Sequence, residues 1–215
     1  DVAQYLDASR EQFRETGEYR NAETDPREIE FAPDCVRIPT LAVEAGTVVF
    51  CRGFAPDEDP WFGAVQFRAA KGEILTLRVR GLAEERVVHR GVWLVPVGSE
   101  QFRAGATYSW APLDAVPSAE GRAEIEARLR EFLKLPFEVL AHHAAVRPVV
   151  HAGLPTLGRH PQFPRLAYFN GLGSKGSLLA PYYADQLAAH LCGEGGIDPE
   201  VNVSRFLVHP QPPSG

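Results

Sequence analysis

Gly171, Gly173 and Gly176 are spaced G-x-G-x-x-G, with Ser174, Lys175 and Ser177 among them and Leu178 directly after. Glycines at that spacing allow positive φ and let a ligand touch the backbone. The free N–H groups and partial positive charge of a following helix favour a phosphate or another electron-rich group. The spacing alone serves a tight strand-to-helix turn equally well. Arg147 is the second chemical candidate. It precedes Pro148 in an apolar stretch, where the pre-proline restriction keeps the backbone extended. An inward-facing guanidinium needs an anionic partner, which is either a protein carboxylate or a substrate's. His142 and His143 are adjacent, so on a strand they point to opposite faces and make no shared metal pair. Lys175 is either a phosphate ligand or a solvated turn lysine.

The elements that must position these groups can be read from periodicity. Leu166–Phe169 is a short apolar run suited to a buried strand, broken by Asn170-Gly171. Leu179, Tyr183, Leu187 and Leu191 recur every fourth residue and predict a helix, with Pro181 in its first turn and Gly193 as its stop. A dinucleotide fingerprint would need a second strand and an acidic residue about 20 residues further on. The chain after Leu191 is too short and too rich in Gly and Pro for that, so the glycine turn must belong to a sheet whose other strands come earlier.

Earlier in the chain, Val2, Tyr5, Leu6 and Phe13 predict an amphipathic helix ending at Gly17. Residues 35–43 read as a hairpin around Pro39-Thr40, and Thr47–Cys51 as a fully buried strand stopping at Gly53, where a ligand or a close backbone is expected. The acidic loop Pro56–Pro60 marks a domain crossing. Val65–Trp110 predicts strands joined by short connections, with Leu75, Leu77 and Val79 facing inward and Ile74, Thr76, Arg78 and Arg80 outward. Ser118 is placed to cap a helix that buries Ile125, Leu129 and Phe132, and Val139–Val150 is extended again.

Totals narrow the functional classes. The chain has 215 residues, 45% of them apolar, enough for one large domain or two small ones. Its 22 basic and 28 acidic residues give a net charge of −6 with no basic block, which argues against nucleic acid as a partner. No apolar run approaches a membrane span and no secretory signal opens the chain, so a cytoplasmic setting is expected. Cys35, Cys51 and Cys192 lack C-x-x-C spacing, indicate neither disulfides nor a metal site, and are expected to be buried.

Three linked stretches suggest a family: Ala145-Val146-Arg147-Pro148, Ala152–Gly158 (AGLPTLG) and Gly171–Pro181 (GLGSKGSLLAP). In order and spacing they resemble the carboxy-terminal signature of FAD-dependent oxidoreductases of the D-amino acid oxidase, glycine oxidase and sarcosine oxidase group. Thr47–Gly53 resembles the strand and glycine that close that family's nucleotide domain, and Lys71-Gly72-Glu73-Ile74-Leu75 with Gly105-Ala106-Thr107 resembles strands of its substrate domain. The resemblance implies a mixed α/β fold, in which a three-layer FAD-binding domain (residues 1–56 and 145–215) carries an inserted antiparallel substrate domain (57–144). It implies FAD as cofactor, approached by Gly53 and bordered by Gly171, Gly173, Ser174, Lys175, Gly176, Ser177 and Leu178, with Arg147 meeting the substrate carboxylate. Leu172 and Lys175 stand where many relatives carry other polar residues, which leaves the substrate and oxygen reactivity open.

The activity so implied is oxidation of an amino acid or related amine by hydride transfer to flavin, with oxygen or another carrier as acceptor. The alternative is a non-catalytic module that keeps the fold and binds a metabolite or a partner chain. In the family, an earlier G-x-G-x-x-G strand binds the ADP part of FAD. No such motif occurs in residues 1–40, so the chain is expected to be the carboxy-terminal portion of such an enzyme, binding FAD weakly by itself, inactive alone, and self-associating through the open edge of the 47–51 strand.

Overall fold

The computed structural model describes residues 2–55, 59–150 and 153–207. The chain forms two compact units, one of residues 1–66 with 150–215 and one of Phe67–Val149. The sequence-based division placed its crossings at 56/57 and 144/145. Residues 56–58 lie outside the described residues, and a single strand runs across 144/145.

The first unit begins with α1 (Val2–Glu15) and a small antiparallel sheet of β1 (Glu30–Phe31), β2 (Val36–Ile38) and β3 (Val43–Ala45). β2 and β3 form the expected hairpin around Pro39-Thr40. The apolar stripe on α1 is correct as a pattern, but none of its residues is buried: Tyr5 is 70% exposed and Phe13 51%. After β4 (Val48–Phe50), the chain runs through the second unit before returning.

The second unit is a five-stranded antiparallel sheet, order β6-β7-β8-β5-β9, with one helix. Its strands are β5 (Ala70–Arg78), β6 (Val88–Arg90), β7 (Val92–Gly98), β8 (Gln101–Gly105) and β9 (Glu138–Arg147). The helix, α2 (Ala119–Arg130), starts at Ser118, whose Oγ accepts from the Gly121 N–H. Leu75, Leu77 and Val79 are fully buried with Ile125 and Leu129 against them, so period-2 alternation on β5 meets the apolar stripe of α2. Burying a leucine of this kind contributes about 1.5–3 kcal/mol. Phe132 falls just beyond the helix but packs on the same core.

The first unit is completed by β10 (Thr156–Arg159), β11 (Leu166–Asn170), α3 (Gly176–Cys192) and the short α4 (Ser204–Leu207). The sheet order is β10-β11-β4, and β11 pairs in parallel with β4. The glycine turn's strand therefore does find an earlier partner. Both faces of β11 are covered: Phe169 packs with the Leu157, Leu187 and Val201 cluster, while Tyr168 stacks on Phe62, 4.6 Å between rings. That two-sided cover is why its sequence is a continuous apolar run.

The structure departs from the sequence pattern at three places. The 47–51 strand is not fully buried: β4 is the end strand among the described residues, Val49 is 38% exposed, and a groove of about 810 Å³ lies beside it. The cysteines are not core residues. Cys51 follows the end of β4 and Cys192 ends α3, both exposed, and Cys35 is half-buried. Pro181 sits inside α3 instead of its first turn, because the helix starts at Gly176. Gly193 ends it in the left-handed conformation expected of a C-cap.

Candidate functional site

In the first unit, the parallel pair delivers two loops to the same end of the sheet. β4 runs into Gly53 (φ +64) and β11 into Gly171 (φ +79). Asn170 ties them together: its Nδ2 donates to the Gly53 carbonyl at 2.8 Å and its Oδ1 accepts from the Gly171 N–H at 2.8 Å. Asn170 is 5% exposed, so these bonds form where water does not compete. The carboxyl ends of parallel strands are where open α/β sheets bind ligands. Gly171 could not be replaced, since a Cβ there would lie 2.4 Å from Val150 Cγ2.

Gly173 also has positive φ (+57) and opens a short 3-10 turn, Gly173–Lys175, before α3. Gly176 differs. It is the first residue of α3 with helical φ of −54, and its nearest obstacle to a Cβ is Leu172 Cβ at 3.7 Å. Nothing in the local fold therefore demands glycine there. Ser174, Lys175 and Ser177 are exposed, and Leu178 is 74% exposed on the first turn. No side chain caps the α3 N-terminus, and the positive end of the helix faces the glycine turn. Positive-φ glycines, small hydroxyl side chains, an uncapped helix start and the adjoining Gly53 loop suit the electron-rich edge of a large planar or phosphorylated cofactor.

In the second unit, Arg147 ends β9 opposite Ala70 on β5. Its side chain crosses Gly72, where a Cβ would lie 2.0 Å from Nη2 and 2.3 Å from Cζ. Nη2 donates to the Thr107 carbonyl at 3.2 Å, and Cζ lies 5.2 Å from the centre of the Tyr108 ring. Nη1 is buried without a hydrogen bond, and Arg147 has no carboxylate partner among the described residues. Burial holds the guanidinium pKa below its usual value, opposed by the adjacent Tyr108. A charged, half-buried guanidinium with an unmatched donor is costly unless an anion meets it.

The α2 side of this sheet carries a separate polar network. Glu73, 4% exposed, accepts from the Ser118 N–H at 2.8 Å and its Oγ at 2.7 Å. Lys71 Nζ bonds Asp114 at 2.6 Å and lies 3.8 Å from Glu73. His142 Nε2 is 2.7 Å from Glu73 Oε2 without hydrogen-bond geometry, while His143 is exposed on the other face, as adjacency on a strand requires. These groups hold the start of α2. No group of three or more metal-ligating side chains occurs among the described residues.

Of the residues expected from the sequence, Gly53 follows β4, and Gly171, Gly173, Ser174, Lys175, Gly176, Ser177 and Leu178 follow β11, at the same end of the parallel pair. Arg147 belongs to the other unit. Asn170, Gly72, Thr107 and Tyr108 were not assigned roles. The one available signal was Gly72, a glycine inside a strand pattern, which marks a close approach.

A glycine turn at the ends of parallel strands, in a chain with an inserted antiparallel unit that presents an unmatched arginine, defines a mixed α/β class. The chain belongs to the FAD dependent oxidoreductase family, whose model matches residues 3–190. Glycine oxidase of Bacillus licheniformis is 27% identical over 144 residues, spanning 62% of this chain and 39% of that protein. The crystal structure of glycine oxidase from Bacillus cereus matches with TM-score 0.62 at 19% identity, over 74% of this chain and 46% of that one. Iminodiacetate oxidase from Chelativorans matches with TM-score 0.54 at 24% identity, over 66% and 40%. The chain thus spans less than half the length of these relatives. Among the described residues no helix is long and apolar enough to cross a membrane.

Proposed function

We propose that the complete protein containing this chain oxidises an amino acid or related amine, with FAD held in part by the Gly53 loop and the 171–178 turn and the substrate carboxylate held by Arg147. The observation that carries this reading is the half-buried Arg147 guanidinium, with Nη1 lacking a hydrogen bond. Glycine and iminodiacetate, named for two of the similar proteins, each combine an amine with a carboxylate.

Bound FAD would supply the hydride acceptor. Arg147 can make two parallel hydrogen bonds to a carboxylate, fixing the position and orientation of the neighbouring carbon. Thr107 anchors Nη2 from behind, and Gly72 leaves the space in which the guanidinium lies. The positive end of α3 favours negative charge at the turn.

The test is a visible spectrum of the complete protein, expected to show stoichiometric flavin, followed by Arg147→Lys. Lysine lacks the planar fork, and bonds to charged groups contribute about 1.5–3 kcal/mol, so kcat/KM on an amino acid should fall roughly ten- to a hundredfold with flavin content unchanged. A colourless protein, or a mutant that loses only thermal stability, would refute the proposal. Peroxide release separates transfer to oxygen from transfer to another carrier.

A further inference from the structure

The second unit carries another guanidinium for which the proposed reaction has no use. Arg68 Cζ lies 4.6 Å from the centre of the Trp110 ring. Trp110 meets Tyr108 edge to face at 5.1 Å, and Tyr108 lies 5.2 Å from Arg147 Cζ. One guanidinium group therefore lies against each ring of a single aromatic pair.

The backbone explains the alignment. Ser109 exchanges two hydrogen bonds with Lys71, at 2.8 and 3.0 Å, so its neighbours Tyr108 and Trp110 project to the same face. The Arg68 N–H donates to the Val149 carbonyl at 2.7 Å, which holds Arg68 beside the strand that ends in Arg147. Tyr108 is 52% exposed and Trp110 50%, which leaves the aromatic surface open. Arg68 is exposed and has no carboxylate partner among the described residues, and Arg147 Nη1 is unmatched. A guanidinium stacked on an indole keeps its in-plane N–H donors free to bind an anion.

We propose that Tyr108 and Trp110 floor the substrate subsite and that Arg68 recognises a second anionic group, so that the preferred substrate is an amine bearing two carboxylates. This rests on the assignment of Arg147 to the first carboxylate. A monocarboxylate would engage Arg147 alone. A dicarboxylate lying along the aromatic pair would engage both guanidinium groups.

The experiment compares acetate with succinate and glutarate as competitive ligands of the complete flavin-loaded enzyme. The better dicarboxylate should bind roughly three- to tenfold tighter than acetate, because the added contact is charge-assisted but exposed. Arg68→Gln, and Arg68→Met, which keeps the aliphatic stem on Trp110, should bring that ratio to about one. Arg103→Gln, at an exposed arginine of β8, controls for net charge and should leave the ratio as it was. Equal binding of acetate and dicarboxylates by the parent, a ratio that survives both Arg68 substitutions, or an equal loss in the Arg103 control would overturn the proposal. Failure of the Arg147 assignment shows separately, as identical acetate affinity in the parent and Arg147→Lys.

Discussion

Gly72→Ala separates a binding role for Arg147 from a structural one. The added methyl would sit 2.0 Å from Nη2, 2.3 Å from Cζ and 2.3 Å from Nη1, distances no Cβ sustains. What it strikes is the end of a long flexible side chain, so the guanidinium moves and the sheet does not. Alanine in a strand interior gains about 0.5–1 kcal/mol over glycine, which roughly offsets the lost bond from Nη2 to Thr107. The melting temperature of the complete enzyme should therefore stay within a few degrees of the parent's. Carboxylate binding should not survive: loss of a charge-assisted pair worth about 1.5–3 kcal/mol weakens acetate roughly ten- to a hundredfold. Acetate titration and a thermal melt on the same preparation check both halves. Unchanged acetate affinity, or a large fall in melting temperature with affinity intact, would refute the assignment of the guanidinium to substrate.

At Gly176, helical φ and a free Cβ position mean that Gly176→Ala should leave the cofactor-free protein as stable as the parent or slightly more so, while flavin content falls if a ligand lies against the turn; absorbance ratios and apo melts read this directly. Asn170→Ala strands the Gly53 carbonyl and the Gly171 N–H, and should cost about 1–3 kcal/mol in denaturant unfolding as well as lowering flavin content. Burial raises the Glu73 pKa, but the two Ser118 hydrogen bonds and the Lys71 charge outweigh it and leave it below the usual carboxylate value. Its stabilisation is thus fully present above about pH 4.3 and lost as pH falls through the lower folded value, and Glu73→Gln should flatten that part of an acid-unfolding curve. Burial lowers the His160 pKa against one backbone hydrogen bond that raises it, while Nδ1 accepts from the Gln162 and Phe163 N–H groups. Stability should therefore decline as pH drops below about 6.5 towards the folded value, and His160→Gln should remove the step.

Regular periodicity made much of this fold legible in advance. Leu75 and Leu77 declared the inner face of β5, Ser118 declared the start of α2, and the run at Leu166 followed by glycine declared β11 and its turn. What stayed hidden depends on groups far apart in the chain. That Asn170 reaches Gly53 follows only from the parallel pairing of β4 with β11, and that Gly72 is open for Arg147 follows only from the β5–β9 register. Local pattern likewise could not show that α1 keeps its apolar stripe exposed or that Val49 lies on an end strand, because burial is decided by neighbours and not by the segment itself.

The parallel pairing of Val48 with Leu166 also bears on how the chain reaches its native state. This is a contact of high sequence separation, and closing so long a loop early is slow. The inserted unit offers a way around. Its entry and exit are joined by the hydrogen bond from the Arg68 N–H to the Val149 carbonyl, so once Phe67–Val149 has folded, the chain leaves it close to where it entered. The free loop between β4 and β11 then shrinks to roughly a third of its length, which lowers the entropic cost of pairing them by about 1 kcal/mol. An order of events follows, with the antiparallel unit ahead of the parallel pair and the Gly53 and Gly171 turns brought together last. Pulse-labelled hydrogen exchange during refolding should protect the β5 and β9 amides before those of β11.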